Sequence, residues 1–449
     1  MNEEQEQQLK TENDDQSENV VLQKIKAEIH QKLLGVLDLN EARRIPVEQL
    51  HEECRKRVDV LLSAQQYPMS GPDKQQLLRE VMDEVFGFGP LEVFLRDPDI
   101  SDILVNGPHQ IYIEKKGQLQ HTKVSFRDEK HLMRIIHRIG GNVGRRIDES
   151  SPMLDARLPD GSRVNAIIPP LALDGPSMSI RRFGVSPIDI HRLLEIETFT
   201  EDMAFFLKAC VRAKMNILIS GGTGTGKTTL LNALSRWIPA GERVVTIEDA
   251  AELQLQREHV VRLETRPANI EGKGQITQRD LVRNTLRMRP DRIIVGEVRG
   301  AETIDMLQAM NTGHEGSMTT VHSNSPRDAL SRLENMVSMA GLNFPIRSIR
   351  EQLSSALDVL IHLGRLIGGH RKIVKIVEIT SMEGDTICLH DIFQFNQIGV
   401  DDTGNAYGQF EACGVRPLLL NRLKAQGVEV PLDLFKRRVL VKSNPDNNK

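Results

Sequence analysis

The chain has 449 residues, with 58 lysines and arginines against 62 aspartates and glutamates, so its formal net charge is −4. General nucleic-acid binders usually carry a basic excess, and the composition therefore disfavours nucleic acid as a partner. Aromatic residues make up only 4% of the chain, which weakly disfavours a base-stacking surface for single strands. At roughly 150 residues per domain, the length predicts about three folded units.

The sequence shows neither a secretory signal nor a membrane span. Residues 1–20 are acidic and polar, and no run approaches the roughly 18 consecutive apolar residues that a spanning helix needs. We therefore expect a cytoplasmic protein. The cysteines form no C-x-x-C pair, so we expect free thiols rather than a zinc site. They are Cys54, Cys210, Cys388 and Cys413.

The sequence of the first 190 residues predicts a disordered tail, a helical appendage and an α+β domain. Residues 1–20 have no apolar periodicity and are expected to be disordered. Apolar residues at three- and four-residue steps predict a helical appendage over 21–68. Residues 69–190 combine helical and strand patterns, which predicts an α+β domain. Its predicted elements are helices at Leu77–Phe86 and His131–Ile139, strands at Ile103–Val105 and Gln110–Glu114, and a meander over 153–183.

After Pro187, helical patterns alternate with short apolar strands. This alternation predicts a parallel sheet covered by helices, in an α/β domain over 195–435 followed by a polar tail over 436–449. The predicted strands are Asn216–Ser220, Arg243–Ile247, Val260–Leu263 and Arg292–Val295.

The first of these strands runs into a G-x-x-x-x-G-K-T segment that a helical pattern follows, the context of a phosphate-binding loop. Glycines let backbone N–H groups approach phosphate oxygens, and the helix N-terminus adds partial positive charge. Lys227 is suited to the β- and γ-phosphates of ATP, and the Thr228 hydroxyl to the Mg²⁺ shell. The alternative, a glycine-rich turn without a ligand, is disfavoured by the complete context. The predicted ATP-binding residues are Gly221, Gly222, Thr223, Gly224, Thr225, Gly226, Lys227, Thr228 and Thr229.

Two predicted strands end in carboxylates, at the edge where a parallel sheet presents catalytic groups. Glu297 is the candidate base or water-orienting residue. Gly296 stands where the Walker B pattern usually has an aspartate, so contact with Mg²⁺ must be shared with another acid. Glu248 and Asp249 end the other strand and are predicted to supply it, although an acidic pair there could simply cap the next turn.

The segment from Gly313 to Ser325 is unusually polar for a stretch between two helical patterns, and it contains His314 and His322. A lone histidine is more often structural or exposed than functional. Two histidines eight residues apart cannot share one helical turn, and no further ligand types lie nearby, so we do not expect a metal site. The functional interpretation is a sensor that distinguishes ATP from ADP.

Four blocks together resemble, in order and spacing, the Walker A, Asp box, Walker B and His box of the secretion ATPase superfamily. The GHEGS form of the last block, with the segment 155–183, is similar to the tight-adherence (Tad/Cpa) pilus ATPases of the CpaF/TadA type. The similarity extends over roughly residues 70–430. The blocks are 221–229, 244–255, 289–302 and 312–326.

The resemblance implies an α/β fold in which a RecA-like P-loop ATPase domain follows a smaller α+β, PAS-like domain. It implies a homo-hexamer, peripheral at the inner membrane, that hydrolyses ATP with Mg²⁺ and drives pilus platform proteins and, indirectly, pilin. Metal contacts are implied for Thr228, Glu248 and Asp249. Catalytic roles are implied for the acids Glu297 and Glu248 and for the His-box residues His314 and His322. The resemblance also implies arginines of the N-terminal domain at the terminal phosphates, and the matching positions are Arg163 together with Arg181 or Arg182.

Three other functions stay open. A type IV secretion-type transport ATPase is disfavoured by the extra residues 21–68 and by the extended block from Leu389 onwards. A nucleic-acid translocase is disfavoured by the acidic balance, although a ring could carry a basic pore. A nucleotide-gated scaffold with negligible hydrolysis has no need of the paired acids Glu248 and Glu297.

Overall fold

The structure is a computed structural model. The chain divides into two compact units, Met1–Val185 and Ser186–Lys449. The predicted tail 1–20 and nearly all of the predicted appendage 21–68 lie outside the described residues. Those are 71–115, 118–183, 188–268, 273–341, 344–402 and 404–442, with a few helical positions between 49 and 60.

The first unit is an antiparallel sheet with helices packed against it. Among its described residues, six strands lie in the order β3-β2-β1-β6-β5-β4, and each neighbouring pair is antiparallel. The strands are β1 (Ile100–Asn106), β2 (Ile111–Lys115), β3 (Gln118–His121), β4 (Met153–Arg157), β5 (Arg163–Ile167) and β6 (Ser177–Arg181). The helices are α1 (Gly71–Phe86), α2 (Glu92–Leu95), α3 (Glu129–Asn142) and a 3₁₀ turn at Gly89–Leu91.

Helix α3 shows how the sequence pattern becomes packing. Asp128 caps its N-terminus by accepting a hydrogen bond from the backbone N–H of His131 at 2.7 Å. Its apolar stripe, which includes Leu132 and Ile136, is fully buried in the core of the sheet. The helix continues through the Gly140–Gly141 pair to Asn142, so the predicted end at Ile139 was too early.

The second unit consists of one large β-sheet against which helices pack. Among the described residues, ten strands lie in the order β16-β15-β14-β13-β12-β7-β11-β10-β8-β9. The strands are β7 (Ile217–Gly221), β8 (Val244–Glu248), β9 (Val260–Glu264), β10 (Arg292–Val295), β11 (Met318–His322), β12 (Val359–Arg365), β13 (Arg371–Glu383), β14 (Thr386–Val400), β15 (Ala406–Ala412) and β16 (Arg438–Lys442).

The helices of this unit alternate with its parallel strands. They are α4 (Ile190–Glu195), α5 (Glu201–Arg212), α6 (Lys227–Ser235), α7 (Gln278–Thr285), α8 (Glu302–Asn311), α9 (Pro326–Met339), α10 (Ile346–Ala356) and α11 (Leu420–Ala425), with a 3₁₀ turn at Leu432–Phe435. None of the described helices has both the length and the apolar character needed to cross a membrane.

The two halves of this sheet differ in direction. Strands β7 to β12 pair in parallel, whereas β12 to β16 pair antiparallel. Strand β7 is buried along its whole length, as a central strand covered on both faces should be. Because parallel strands end at one edge, the segments after β7, β8, β10 and β11 converge there, and we call it the carboxyl edge.

The predicted fold class is confirmed, since a RecA-like α/β domain with a P-loop follows a smaller α+β unit. The four predicted strands of the α/β domain match β7 to β10 within a residue at each end. Strand β11 was not predicted, and the antiparallel half was not foreseen as strands. Strand β16 also occupies part of the predicted polar tail.

Candidate nucleotide-binding site

The glycine loop connects the central strand β7 to helix α6, whose first residue is Lys227. Gly226 precedes the helix with φ of 94°, a left-handed conformation that a residue with a Cβ adopts only at a cost. The Thr225 hydroxyl donates to the Gly222 carbonyl at 2.9 Å and closes the loop on itself. Backbone N–H groups at the start of α6 are thereby held at the carboxyl edge.

The side chain of Lys227 lies against this loop. Its Nζ donates to the carbonyl oxygens of Gly221 and Gly222, each at 3.0 Å. Burial lowers the pKa of Lys227, and the nearby Glu297 carboxylate opposes that shift. Thr228 and Thr229 follow in the first turn of α6 and are half-buried. The loop therefore presents a cation and two hydroxyls.

Glu297 follows β10 and is half-buried. Its Oε2 accepts a hydrogen bond from Arg299 Nε at 3.0 Å. Arg299 Nη1 lies 3.7 Å from Asp249 Oδ2, after β8. Burial raises the pKa of Asp249, and the charge of Arg299 opposes the shift. Lys227, Glu297, Arg299 and Asp249 thus form an array of alternating charges along the carboxyl edge.

Glu248, the last residue of β8, is buried with 4% of its surface exposed. Its Oε2 accepts hydrogen bonds from the backbone N–H groups of Glu252 at 2.7 Å and Leu253 at 3.0 Å. Its Oε1 is buried and has no hydrogen-bond partner among the described residues. Burial raises the pKa of Glu248 to about 7, although the two backbone hydrogen bonds act in the opposite direction. A buried oxygen without a protein partner is costly, so this oxygen is available to a ligand.

The two predicted histidines lie at opposite edges of the sheet. His322 ends β11 opposite Gly221 of β7, and its Nδ1 lies 3.5 Å from Thr223 Oγ1. His314 precedes β11, at the amino edge, where its Nδ1 lies 3.1 Å from the Pro290 carbonyl oxygen. The structure therefore brings His322 to the phosphate loop and does not bring His314 there.

The GHEGS segment that contains His314 packs against a buried arginine. Arg292 is fully buried and pairs with Glu242. Its Nη1 also donates to the carbonyl of Gly316 at 3.3 Å. A Cβ on Gly316 would lie 2.6 Å from Arg292 Nη1, and the φ of Gly316 is 79°, so only glycine fits. Ser317 Oγ donates to the His314 carbonyl at 2.7 Å. These contacts give the segment a structural role at the amino edge.

The three predicted arginines belong to the first unit. Arg163 on β5 and Arg181 on β6 are cross-strand neighbours on the exposed face of the sheet. Arg163 pairs with Asp155 at 2.7 Å, and Arg181 Nε lies 3.4 Å from Asp102 Oδ1. These two side chains are accessible to a ligand.

Arg182 differs from its neighbour Arg181, because its guanidinium is occupied within the first unit. Its Nη1 donates to the backbone carbonyls of Phe94 and Asp97. Its Nε is buried and lacks a hydrogen-bond partner among the described residues. This side chain fixes the loop after α2 to the end of β6.

Sequence reasoning missed the support around Glu297. Glu302 at the start of α8 is buried, and its Oε1 accepts from the backbone N–H groups of Arg299 at 2.6 Å and Gly300 at 2.8 Å. The turn that carries Arg299 is therefore held in place. The only signal in the sequence is the acidic residue five positions after Glu297.

The residues at this edge fit a magnesium ion. Magnesium prefers oxygen ligands and is usually held by one or two carboxylates together with phosphate oxygens. Glu248 offers a buried oxygen without a partner, and Thr228 offers a hydroxyl at the start of α6. Asp249 is half-exposed and already lies near Arg299, so it is the weaker candidate of the two acids.

The strand, glycine loop and helix, with acids on neighbouring parallel strands, define a protein of the P-loop class. The family model described as "Type II/IV secretion system protein" matches residues 84–400. The chain belongs to this family.

Relatives of the chain include proteins of conjugal transfer. It is 38% identical over 313 residues to a putative conjugal transfer protein of Mycobacterium tuberculosis, covering 68% of this chain and 88% of that one. It is 32% identical over 316 residues to the conjugal transfer protein TrbB of Rhizobium radiobacter, covering 69% and 91%. Among solved structures, the VirB11 ATPase of the Brucella suis type IV secretion system is 29% identical, with a TM-score of 0.35 and coverage of 64% and 94%.

Proposed function

We propose that this chain binds and hydrolyses ATP and converts the free energy into mechanical work. The observation that carries the proposal is the array Lys227–Glu297–Arg299–Asp249 beside the phosphate loop. A binding loop alone needs only the lysine and the backbone N–H groups. The Glu297 carboxylate accepts a hydrogen bond from Arg299 and is thereby held in place. A carboxylate held in this way is suited to orienting a water molecule.

In this account, the loop and Lys227 hold the β- and γ-phosphates, and Glu297 accepts a hydrogen bond from the attacking water. His322 lies on the strand next to the loop and contacts the terminal phosphate region, so it senses hydrolysis. Magnesium, held by Thr228 and Glu248, supplies charge neutralisation for the phosphates when bound. Arg163 and Arg181 neutralise charge that develops on the γ-phosphoryl group, as known arginine fingers do.

We further propose a homo-hexameric motor, cytoplasmic and peripheral at the inner membrane, that powers a Tad-type pilus through platform proteins and moves pilin indirectly. Support comes from the GHEGS block and from the segment 155–183, which resemble the CpaF/TadA type. A motor whose site is completed by residues of another domain or protomer depends on assembly. Specific activity should therefore fall when the protein is diluted to monomers.

A type IV secretion-type transport ATPase is the second candidate, and the conjugal transfer names of two relatives favour it. A nucleic-acid translocase is a further alternative, and the same experiments distinguish it from a pilus motor. The test replaces Lys227 by Ala in the source cell and scores surface pili and DNA transfer separately. Loss of pili with normal transfer supports the pilus motor, and the reverse result supports the alternative. A salt-sensitive rise of the ATPase rate on adding DNA would favour translocation.

A further inference from the structure

Two arginines lie against the phosphate loop on the side away from the acids. Arg365 ends β12 and Arg371 begins β13, and they face each other as the last pair of that antiparallel ladder. Both side chains are exposed. Like charges directly opposite one another destabilise a strand pair. Among the described residues, neither guanidinium forms an ion pair, so no described acid offsets the repulsion.

The pair is held close to the loop. Arg371 Nε donates to the Gly224 carbonyl at 2.8 Å, and this bond leaves both of its Nη groups without a partner in the described part of the chain. A Cβ placed on Gly226 would lie 3.5 Å from Arg371 Cδ, and one placed on Gly224 would lie 3.7 Å from Arg365 Nη1. Two guanidinium groups therefore stand at the rim of the loop.

The order of the strands determines which end of a nucleotide they meet. Strand β7 has β11 on one side and β12 on the other. Glu248 and His322 end strands on the β11 side, and Glu297 follows another of these strands. The γ-phosphate therefore points that way if these acids promote hydrolysis. The β12 side of the loop is then left to the α-phosphate and the nucleoside.

We propose that Arg365 and Arg371 form the subsite for the adenosine and α-phosphate of the bound nucleotide. This inference rests on the proposed ATPase function. A guanidinium donates to phosphate oxygens in a fixed fork and stacks on aromatic rings, so it suits both groups. Binding an anion between the two arginines also relieves their mutual repulsion. They act on nucleotide affinity and take no part in the chemical step.

The test measures binding of ADP and of pyrophosphate to the full chain in the presence of Mg²⁺. The variants are Arg365→Gln, Arg371→Gln and the double variant. Arg347→Gln is the control, because Arg347 is an exposed arginine that pairs with Glu351 on α10. Loss of charged hydrogen bonds should weaken ADP binding by the double variant about ten- to hundredfold. Pyrophosphate, which has no nucleoside, should lose clearly less affinity than ADP, because only the contact with the α-phosphate position is removed.

Folding is checked in the same samples. The double variant should unfold without ligand at the same temperature as the unsubstituted chain or a higher one, because the repulsion is gone, and should gain less stability from ADP. Equal weakening of ADP and pyrophosphate, or no weakening of either, would overturn the subsite. Failure of the proposed function would appear differently, as absence of ADP binding by the unsubstituted chain, and would overturn the subsite with it.

Discussion

Arg299 donates hydrogen bonds to a single oxygen of Glu297 through both Nε and Nη2. The bond to Nε is 3.0 Å long. This leaves the other oxygen of the carboxylate free of that arginine. Because the backbone of Arg299 is itself held by Glu302, the direction of the Glu297 carboxylate is set by the protein before a nucleotide binds.

Removing this arginine should slow turnover more than it weakens binding. In Arg299→Ala, we expect kcat to fall about ten- to hundredfold, since charged hydrogen bonds of this kind contribute about 1.5–3 kcal/mol. KM for ATP should change less than about threefold. Glu302→Gln keeps an acceptor for the backbone N–H groups and should have a smaller effect. A rise in KM at constant kcat would show instead that Arg299 binds the nucleotide.

Glu248→Gln should stabilise the second unit at high pH. The pKa of Glu248 is raised by burial from 4.5 to about 7, so the folded chain keeps this proton where the unfolded chain loses it. Stability therefore falls as pH rises from about 4.5 to about 7 and stays lower above that. Glutamine has no proton to lose in this range, so the free energy of unfolding of the variant does not decrease in this way. At pH 8 it should exceed that of the unsubstituted chain by up to about 3 kcal/mol.

The single tryptophan, Trp237, reports this transition, because it packs partly buried in the core of the second unit. Urea unfolding followed by its fluorescence should give a difference between Glu248→Gln and the unsubstituted chain that shrinks from pH 8 to pH 5.5. A constant difference for Glu248→Gln would mean that Glu248 is already ionised when folded.

Substituting the two histidines should have different effects on kcat and on thermal stability. His322 lies beside the phosphate loop, so His322→Ala should lower kcat at least about tenfold, in the range of one lost charge-assisted contact. His314 lies at the amino edge, so His314→Ala should leave kcat within about twofold and act mainly on thermal stability. Equal losses of kcat in the two variants would contradict this division.

Arg181 and Arg182 are adjacent in the first unit, so alanine substitutions of the two can be compared directly. Arg181 is exposed and Arg182 binds backbone carbonyls within the unit. Arg181→Ala should lower kcat with little change in nucleotide affinity and in melting temperature, because its proposed contact strengthens in the transition state. Arg182→Ala should lower the melting temperature, since carbonyls lose a charged donor. Unchanged kcat in Arg181→Ala would remove this arginine from the site.

The phosphate loop and the acids could be predicted because each is local. A strand, a glycine run and a helix follow one another in sequence, and Glu248 ends one apolar strand whereas Glu297 follows another. Parallel strands bring such ends to one edge without further information. The fold class followed from the same alternation of strands and helices.

Strand β11 was missed because its buried residues include Thr319 and Thr320, which do not stand out as apolar in sequence. The separation of His314 from the phosphate loop was not foreseen, because it follows from strand β11. A five-residue strand rises about 17 Å, so it separates His314 from His322 although both belong to one motif. The arginine pair of the β12–β13 hairpin was invisible, because its place depends on pairing of β12 with a strand about 140 residues earlier.

The central claim is that Glu297 promotes cleavage of ATP held by the phosphate loop. The most direct measurement is release of inorganic phosphate from Mg²⁺-ATP, together with ATP binding, by the unsubstituted chain and by Glu297→Gln. We predict steady release by the former and, in the variant, ATP binding within about threefold but release reduced by at least about a hundredfold. Equal rates of release by the two proteins, or none by either, would contradict the account.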